Sequence, residues 1–213
     1  MNLLQTVNGV YSKLSSIDGV ELDTLTLTEP TDASTIQNIQ HEISFVFPET
    51  LRNFYLHQAS SIKFNWESKL RIFGDECKFG GINLLSPTEI VSFIDEMQWL
   101  VKESKDNRDE LDNNLGLQAL VDDWPHWLPI ISFENGDAFC IDRRDHSIVF
   151  LEHDVMDGGP NVHGVKIGCS FEDLIRKWST IGFVDIYDWT DGTNESGIDL
   201  QNSMFESIID QLK

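Results

Sequence analysis

Residues 124–154 read WPHWLPIISFENGDAFCIDRRDHSIVFLEHD, and this stretch decides the fold class. Leu128 to Phe133 is an apolar run, and Glu134-Asn135-Gly136-Asp137 follows as a turn. Ala138 to Ile141 is a second run, and Ser147 to Leu151 is a third after Asp142 to His146. Asn-Gly between apolar runs marks a tight hairpin, because both residues tolerate the positive φ that such a turn needs. Three short strands are therefore expected. Trp124 and Trp127 stand at the entrance and carboxylates crowd the turns. No catalytic motif accompanies them, so the segment reads as a surface for holding a partner.

Helical patterns flank this frame. Leu3, Leu4, Val7, Val10, Tyr11, Leu14 and Ile17 form one apolar stripe, ended by Asp18-Gly19. A polar connector leads to Asp32, the expected N-cap of a helix through Ile36, Ile39 and Ile43, and Pro48 opens another with Leu51, Phe54 and Tyr55. Strands come next: Ile62, Phe64 and Trp66 alternate, and Cys77 to Leu85 continues with Gly80-Gly81 as a bulge or tight bend. Ser86-Pro87-Thr88-Glu89 is a capping box for a helix running to about Lys102. Ser170, with Asp173 three residues on, caps a helix through Trp178. Residues 190–197 read as a polar linker, and Ile198 to Lys213 as a terminal amphipathic helix. Strands cluster centrally and helices lie at both ends, without βαβα alternation. The expected class is α+β: a central, mostly antiparallel sheet flanked by helices, in one domain of 213 residues.

Composition narrows the function. The chain carries 36 acidic against 15 basic residues, a formal charge of −21. Such a field repels nucleic-acid phosphates and anionic membranes and speeds encounter with basic proteins. No apolar run approaches the roughly 20 residues of a membrane helix, and MNLLQTVNGVYSKL lacks the features of a secretory signal, so the cytosol is the expected address. Cys77, Cys140 and Cys169 are odd in number and far apart, which argues against a disulfide framework or a Cys-x-x-Cys metal site.

The candidate partner surface comprises Trp124, Trp127, Glu134, Asp137, Asp142, Asp145, Glu152, Asp154 and Asp157. The competing reading packs both indoles into the core and leaves the acids as solvated turns. Asp185, Asp188 and Asp191 around Tyr187 and Trp189 form a second acidic, aromatic patch with the same ambiguity. His146, His153, Asp154, Asp157 and His163 share a region but have neither zinc nor calcium spacing. Cys140 lies within an apolar strand, where an inert thiol is expected, and neither Gly-Gly pair has the Lys of a phosphate loop. No catalytic residue, metal or cofactor is assigned.

The order of these pieces resembles a known family. Pro48-Glu49-Thr50-Leu51-Arg52-Asn53-Phe54-Tyr55 is followed by the Gly-containing strand ending Leu84-Leu85-Ser86 and the helix beginning Pro87-Thr88-Glu89-Ile90. Trp127-Leu128-Pro129-Ile130, Asn135-Gly136-Asp137, Phe139-Cys140-Ile141-Asp142 and Ser147-Ile148-Val149 complete the series. Together they look like the SUKH superfamily, which joins fungal Smi/Knr cell-wall-synthesis regulators to bacterial toxin-immunity proteins. The resemblance covers roughly residues 36–178, leaving helices over 1–18 and 198–213 as additions. Glu134-Asn135-Gly136-Asp137 departs from the family's usual Asp-Gly-x-Gly turn. The resemblance implies a non-catalytic binding domain, with a basic toxin, such as a nuclease, as the partner blocked by occlusion. A Smi/Knr-type scaffold or regulator is the alternative, and a hydrolase using scattered acids and His a third. The terminal helices serve a partner or self-association; the resemblance does not say which.

Overall fold

Continuous apolar runs bury both faces of the central strands. The computed structural model describes residues 1–69, 71–153 and 162–213, without the side chains of residues 108 and 110. The chain begins with α1 (Leu3–Leu14), β1 (Val20–Leu22), β2 (Thr26–Leu27), α2 (Ala33–Glu42) and α3 (Glu49–His57). Strands β3 (Ile62–Ser68) and β4 (Phe79–Leu84) lead to α4 (Pro87–Asp106), α5 (Arg108–Leu111) and α6 (Leu115–Asp123). After a 3-10 turn over Trp124–His126 come β5 (Trp127–Ser132), β6 (Ala138–Asp142), β7 (Ile148–Leu151), β8 (Lys166–Gly168) and α7 (Phe171–Thr180). The chain closes with β9 (Val184–Asp185), the hairpin β10 (Thr193–Asn194) and β11 (Gly197–Ile198), and α8 (Glu206–Gln211). The protein is α+β, with a central antiparallel sheet.

Local chemistry sets the helix boundaries. The Asp32 carboxylate accepts from the Thr35 amide at 2.9 Å, and Ser86 and Glu89 form the reciprocal capping box. Ser170 Oγ accepts from the Asp173 amide at 3.1 Å. Each satisfies a donor that the first helical turn leaves without a partner. The terminal helix is shorter than its apolar spacing suggests. Residues 193–198 form the β10–β11 hairpin and Asn202 caps a 3-10 turn, so helix proper begins at Glu206. The connector before Asp32 likewise contributes β1 and β2, which pair with β3.

The sheet runs β1-β3-β4-β5-β6-β7-β8, with β2 also on β3 and β9 on β4. In β6 and β7, Phe139, Ile141, Ile148 and Phe150 enter one apolar cluster, shared with α1, α3, α7 and α8. Ala138, Cys140, Val149 and Leu151 enter a second, with Met97 and Val101 of α4 and Leu120 and Val121 of α6. Both faces are covered, which explains the continuous apolar runs. On β3 and β4 only one face is buried: Ile62, Phe64, Trp66, Ile82 and Leu84 turn inward, while Lys63, Glu67 and Phe79 are exposed.

Gly80-Gly81 proves to be neither bulge nor bend, since β4 stays in regular register with β3 from Phe79 to Leu84. The glycines admit another backbone. A Cβ on Gly80 would stand 2.4 Å from the Phe183 carbonyl oxygen and 2.7 Å from Val184 Cα. β9 thereby pairs with Phe79 and Gly80, and the backbone pairing of β4 with β5 is confined to the end of β4, at Leu84 opposite Ile131. The sheet forks at this point. Gly80→Ala is expected to lower unfolding free energy by about 2–4 kcal/mol in urea denaturation. Gly9→Ala, in the open on α1, should be neutral or stabilising. Equal effects of the two would mean that the approach at Gly80 is not under steric control.

Candidate functional site

The fork opens a groove of about 1090 Å³. One side is the outward face of β3 and β4, bearing Lys63, Asn65, Glu67, Phe79 and Asn83, with Glu21 and Asp23 beside it. The other side is the β5–β6 turn with Glu134 and Asp137, then Glu152 and His153 after β7. Asp185, Tyr187 and Asp188 close one end, and buried Phe150 and Trp178 line the depth with Phe133. Eight carboxylates thus face one lysine and one histidine among the described lining residues.

Several of these acids are brought close by the fold. Asn65 Nδ2 donates to Glu134 Oε1 at 3.2 Å and to Asp23 Oδ2 at 3.4 Å, so one amide spans carboxylates from opposite sides. Glu21 and Glu67 lie directly opposite each other in the β1–β3 register, an unfavourable like-charge pair that Lys69 relieves by pairing with Glu21. Asp137 is fixed in place: it accepts from the His153 amide at 3.0 Å, from Asn135 Nδ2 at 2.6 Å, and lies 2.8 Å from His153 Nδ1. Burial pushes the Asp185 carboxyl up to about 7, the nearby Asp137 charge adds to this, and the Ile186 amide only partly offsets it.

The expected partner surface divides into three. Glu134, Asp137 and Glu152 line the groove, where they meet Asp185, Tyr187 and Asp188 of the second expected patch. Asp142 and Asp145 lie at the other end of β6, with Asp142 one strand length, roughly 17 Å, from Asp137. Asp142 is buried and serves the fold. Its carboxylate takes the Arg144 guanidinium at 2.6–3.0 Å and the Trp127 indole N–H at 3.2 Å. Burial raises its pKa, but the Arg144 hydrogen bonds and charge outweigh it and leave the carboxyl below the usual range. Asp145 is exposed and accepts from the Ser147 amide. Asp154 and Asp157 lie outside the described residues.

The two tryptophans are a correction. Trp124 and Trp127 are 3% and 2% exposed, packed among Met97, Val101, Leu120 and Val121 beneath α4 and α6. Trp127 also stacks against His163 with ring centroids 4.5 Å apart. A large indole gains more from this second cluster than it could at a rim. Trp189 is likewise buried, while its neighbour Tyr187 is 94% exposed. Among the described residues no group of three or more His, Cys, Asp or Glu is placed to hold a metal, and no helix is long and apolar enough to cross a membrane. Cys140 is fully buried, and burial raises its thiol pKa well above the usual value.

A family model described as SMI1/KNR4 (SUKH-1) matches residues 30–177. The chain belongs to this family. No curated protein matches it. The SUKH-1 match covers α2 through most of α7, so it includes the groove's floor and its β5–β6 side. Glu21 and Asp23 precede it, and Asp185, Tyr187 and Asp188 follow it. Sequence alone singled out neither Glu21, Asp23 and Glu67 nor the exposed Phe79. Alternation in β3 carried the only available signal for Glu67.

Asp185 gives a test of these electrostatics. Its folded pKa is raised, so the unfolded chain releases the proton first and stability falls as pH climbs from about 4 through about 7. Asp185→Asn should therefore match the parent near pH 4 and exceed it by about 2–4 kcal/mol at pH 8, read by urea denaturation. A difference independent of pH would show that this carboxyl does not ionise in the groove. Asp142→Ala has the opposite sign: it should cost about 2–4 kcal/mol at pH 7, with less loss below the carboxyl's range, in the same assay.

Proposed function

We propose that the protein is a non-catalytic, cytoplasmic binding domain that neutralises a basic toxin by covering its working surface. The observation that carries this reading is the groove, where eight carboxylates surround exposed aromatic side chains on a rigid sheet. Membership of the SUKH-1 family supports it, because immunity is one of the roles found there. The net charge of −21 supports it from another direction. A toxin that handles nucleic acid carries a basic surface, and an acidic inhibitor can occupy it. Charge steers the encounter, and the aromatic side chains at the groove supply contact area. A Smi/Knr-type regulator that recruits other proteins through the same groove is the second reading, resting on the same family membership.

Genomic position and rescue separate the two. Cells expressing a toxin encoded beside this gene should survive when this chain is co-expressed, and the pair should co-purify. Glu134→Lys with Glu152→Lys should slow association by about tenfold at low salt, and the loss should shrink as salt rises. Lys102→Glu with Lys105→Glu should leave association unchanged within about twofold. Equal losses in both double variants would remove the acidic groove from the mechanism. Failure of every neighbouring toxin to bind would remove the immunity reading itself.

A further inference from the structure

The outward face of β3 and β4 is a sheet surface with no layer on it among the described residues, although the same sheet is covered on both faces at β6 and β7. Phe79, 47% exposed, and Tyr187 stand beside it. The lining follows the outward face of β3 from Lys63 to Glu67, roughly 13 Å, which is the length of a short strand. A second copy of this chain is a poor occupant, because it would bring the same carboxylates and a further charge of −21. The complementary occupant is cationic and extended.

We propose that the groove receives an extended segment of the partner and that one arginine of it seats its guanidinium between Asp185 and Asp137. This rests on the binding reading above and names its chemistry. Arginine is favoured over lysine on three grounds. Two carboxylates from different elements suit a planar, forked donor better than a point charge. The adjoining Tyr187 and Phe79 rings offer faces on which a guanidinium stacks. A guanidinium is also less strongly hydrated than an ammonium, so moving it beside Phe150 and Trp178 costs less.

The seat has a stability consequence that points the same way. Asp185 is half-buried and close enough to Asp137 to feel its charge, with no cationic side chain bonded to it among the described residues. A carboxylate so placed burdens the free protein and is relieved when a cation arrives. Binding should then release a proton from Asp185. Asp137 is the charged group that acts on it, and the same groove is lined by Glu67 and Lys63 of β3, Glu21 and Asp23 beside them, Glu134, Glu152 and His153 from the hairpin side, and Asp188 from its own segment.

The test uses the full chain and three synthetic heptapeptides that alternate valine with arginine, lysine or citrulline. Citrulline keeps the shape of arginine without its charge. Calorimetric titration at low salt should give the arginine peptide an affinity at least about tenfold above the citrulline peptide and about threefold above the lysine peptide. Affinity should rise from pH 5.5 to pH 8. Asp185→Asn should lower arginine-peptide affinity by about tenfold or more and flatten that pH dependence. Asp106→Asn, the same charge change on α4 away from the groove, should do neither. Equal binding of the arginine and citrulline peptides would overturn the proposal, as would equal losses in the two variants. Toxin rescue with no arginine preference would sink this seat while leaving the immunity reading intact. Arginine-peptide binding without any toxin partner would do the reverse.

Discussion

The backbone of Gly182, Phe183 and Val184 is held against β4 by two buried indoles and a pair of glycines. Trp66 Nε1 donates to the Gly182 carbonyl at 2.7 Å, and Trp178 Nε1 donates to the Val184 carbonyl at 2.6 Å. Between them Phe183 adopts φ of 56°, a conformation unfavourable for a side chain of its size. That conformation is over-determined: the Gly81 amide donates to the Phe183 carbonyl at 2.8 Å, and the Phe183 ring packs edge-on to Trp178. The consequence reaches the surface. With β9 occupying one end of β4, β5 can pair only at the other end, and the fork between them becomes the groove. Asp185 and Tyr187 are carried to the groove's end by the same few residues.

Covering the central hairpin on both faces has a matching effect on the aromatic residues. Trp124 and Trp127 have a full cluster to enter beneath α4 and α6, so they stabilise the sheet rather than present themselves to a partner. The Trp127 indole is fixed by Asp142, which is fixed in turn by Arg144, and Arg144 also reaches Asp123 at the end of α6 at 2.9 Å. One end of the hairpin is therefore a self-neutralised network. The other end holds Glu134, Asp137 and Glu152 facing further carboxylates across the groove. The uneven distribution of cations, more than the number of acids, separates a structural end from an accessible one.

Much of the architecture was legible because its signals are local. The turn at Asn135-Gly136, with Gly136 at φ of 98°, and the caps at Asp32, Ser86 and Ser170 each depend on a few adjacent residues. The terminal segment misled because Met204, Phe205, Ile208, Ile209 and Leu212 keep helical spacing, while Gly197 and Asn202 set turns that spacing does not register. The groove was half legible. Its acids at 134–152 and at 185–188 were each visible as patches. Their meeting depends on β9 pairing with a strand about 100 positions earlier, and no local pattern encodes that. Glu21 and Asp23 were hidden for a similar reason, since β1 is a short edge strand whose partner is β3.

The groove's charge works against the fold that supports it. Glu21 opposite Glu67 and Asp185 near Asp137 are like-charge pairs; Lys69 relieves the first, and the second lowers the stability of the free protein at neutral pH. Both pairs involve residues outside the span matched to the family, Glu21 before it and Asp185 after it. The continuous core, from Leu3 of α1 to Leu212 beyond α8, is large enough to offset such costs. A carboxylate such as Asp185, held at a loss in the free molecule, makes a surface whose energy falls when positive charge is delivered to it. On the proposed reading, long-range attraction from the whole chain would bring a basic partner close, and short-range relief at Asp185 would then select where on the sheet it docks.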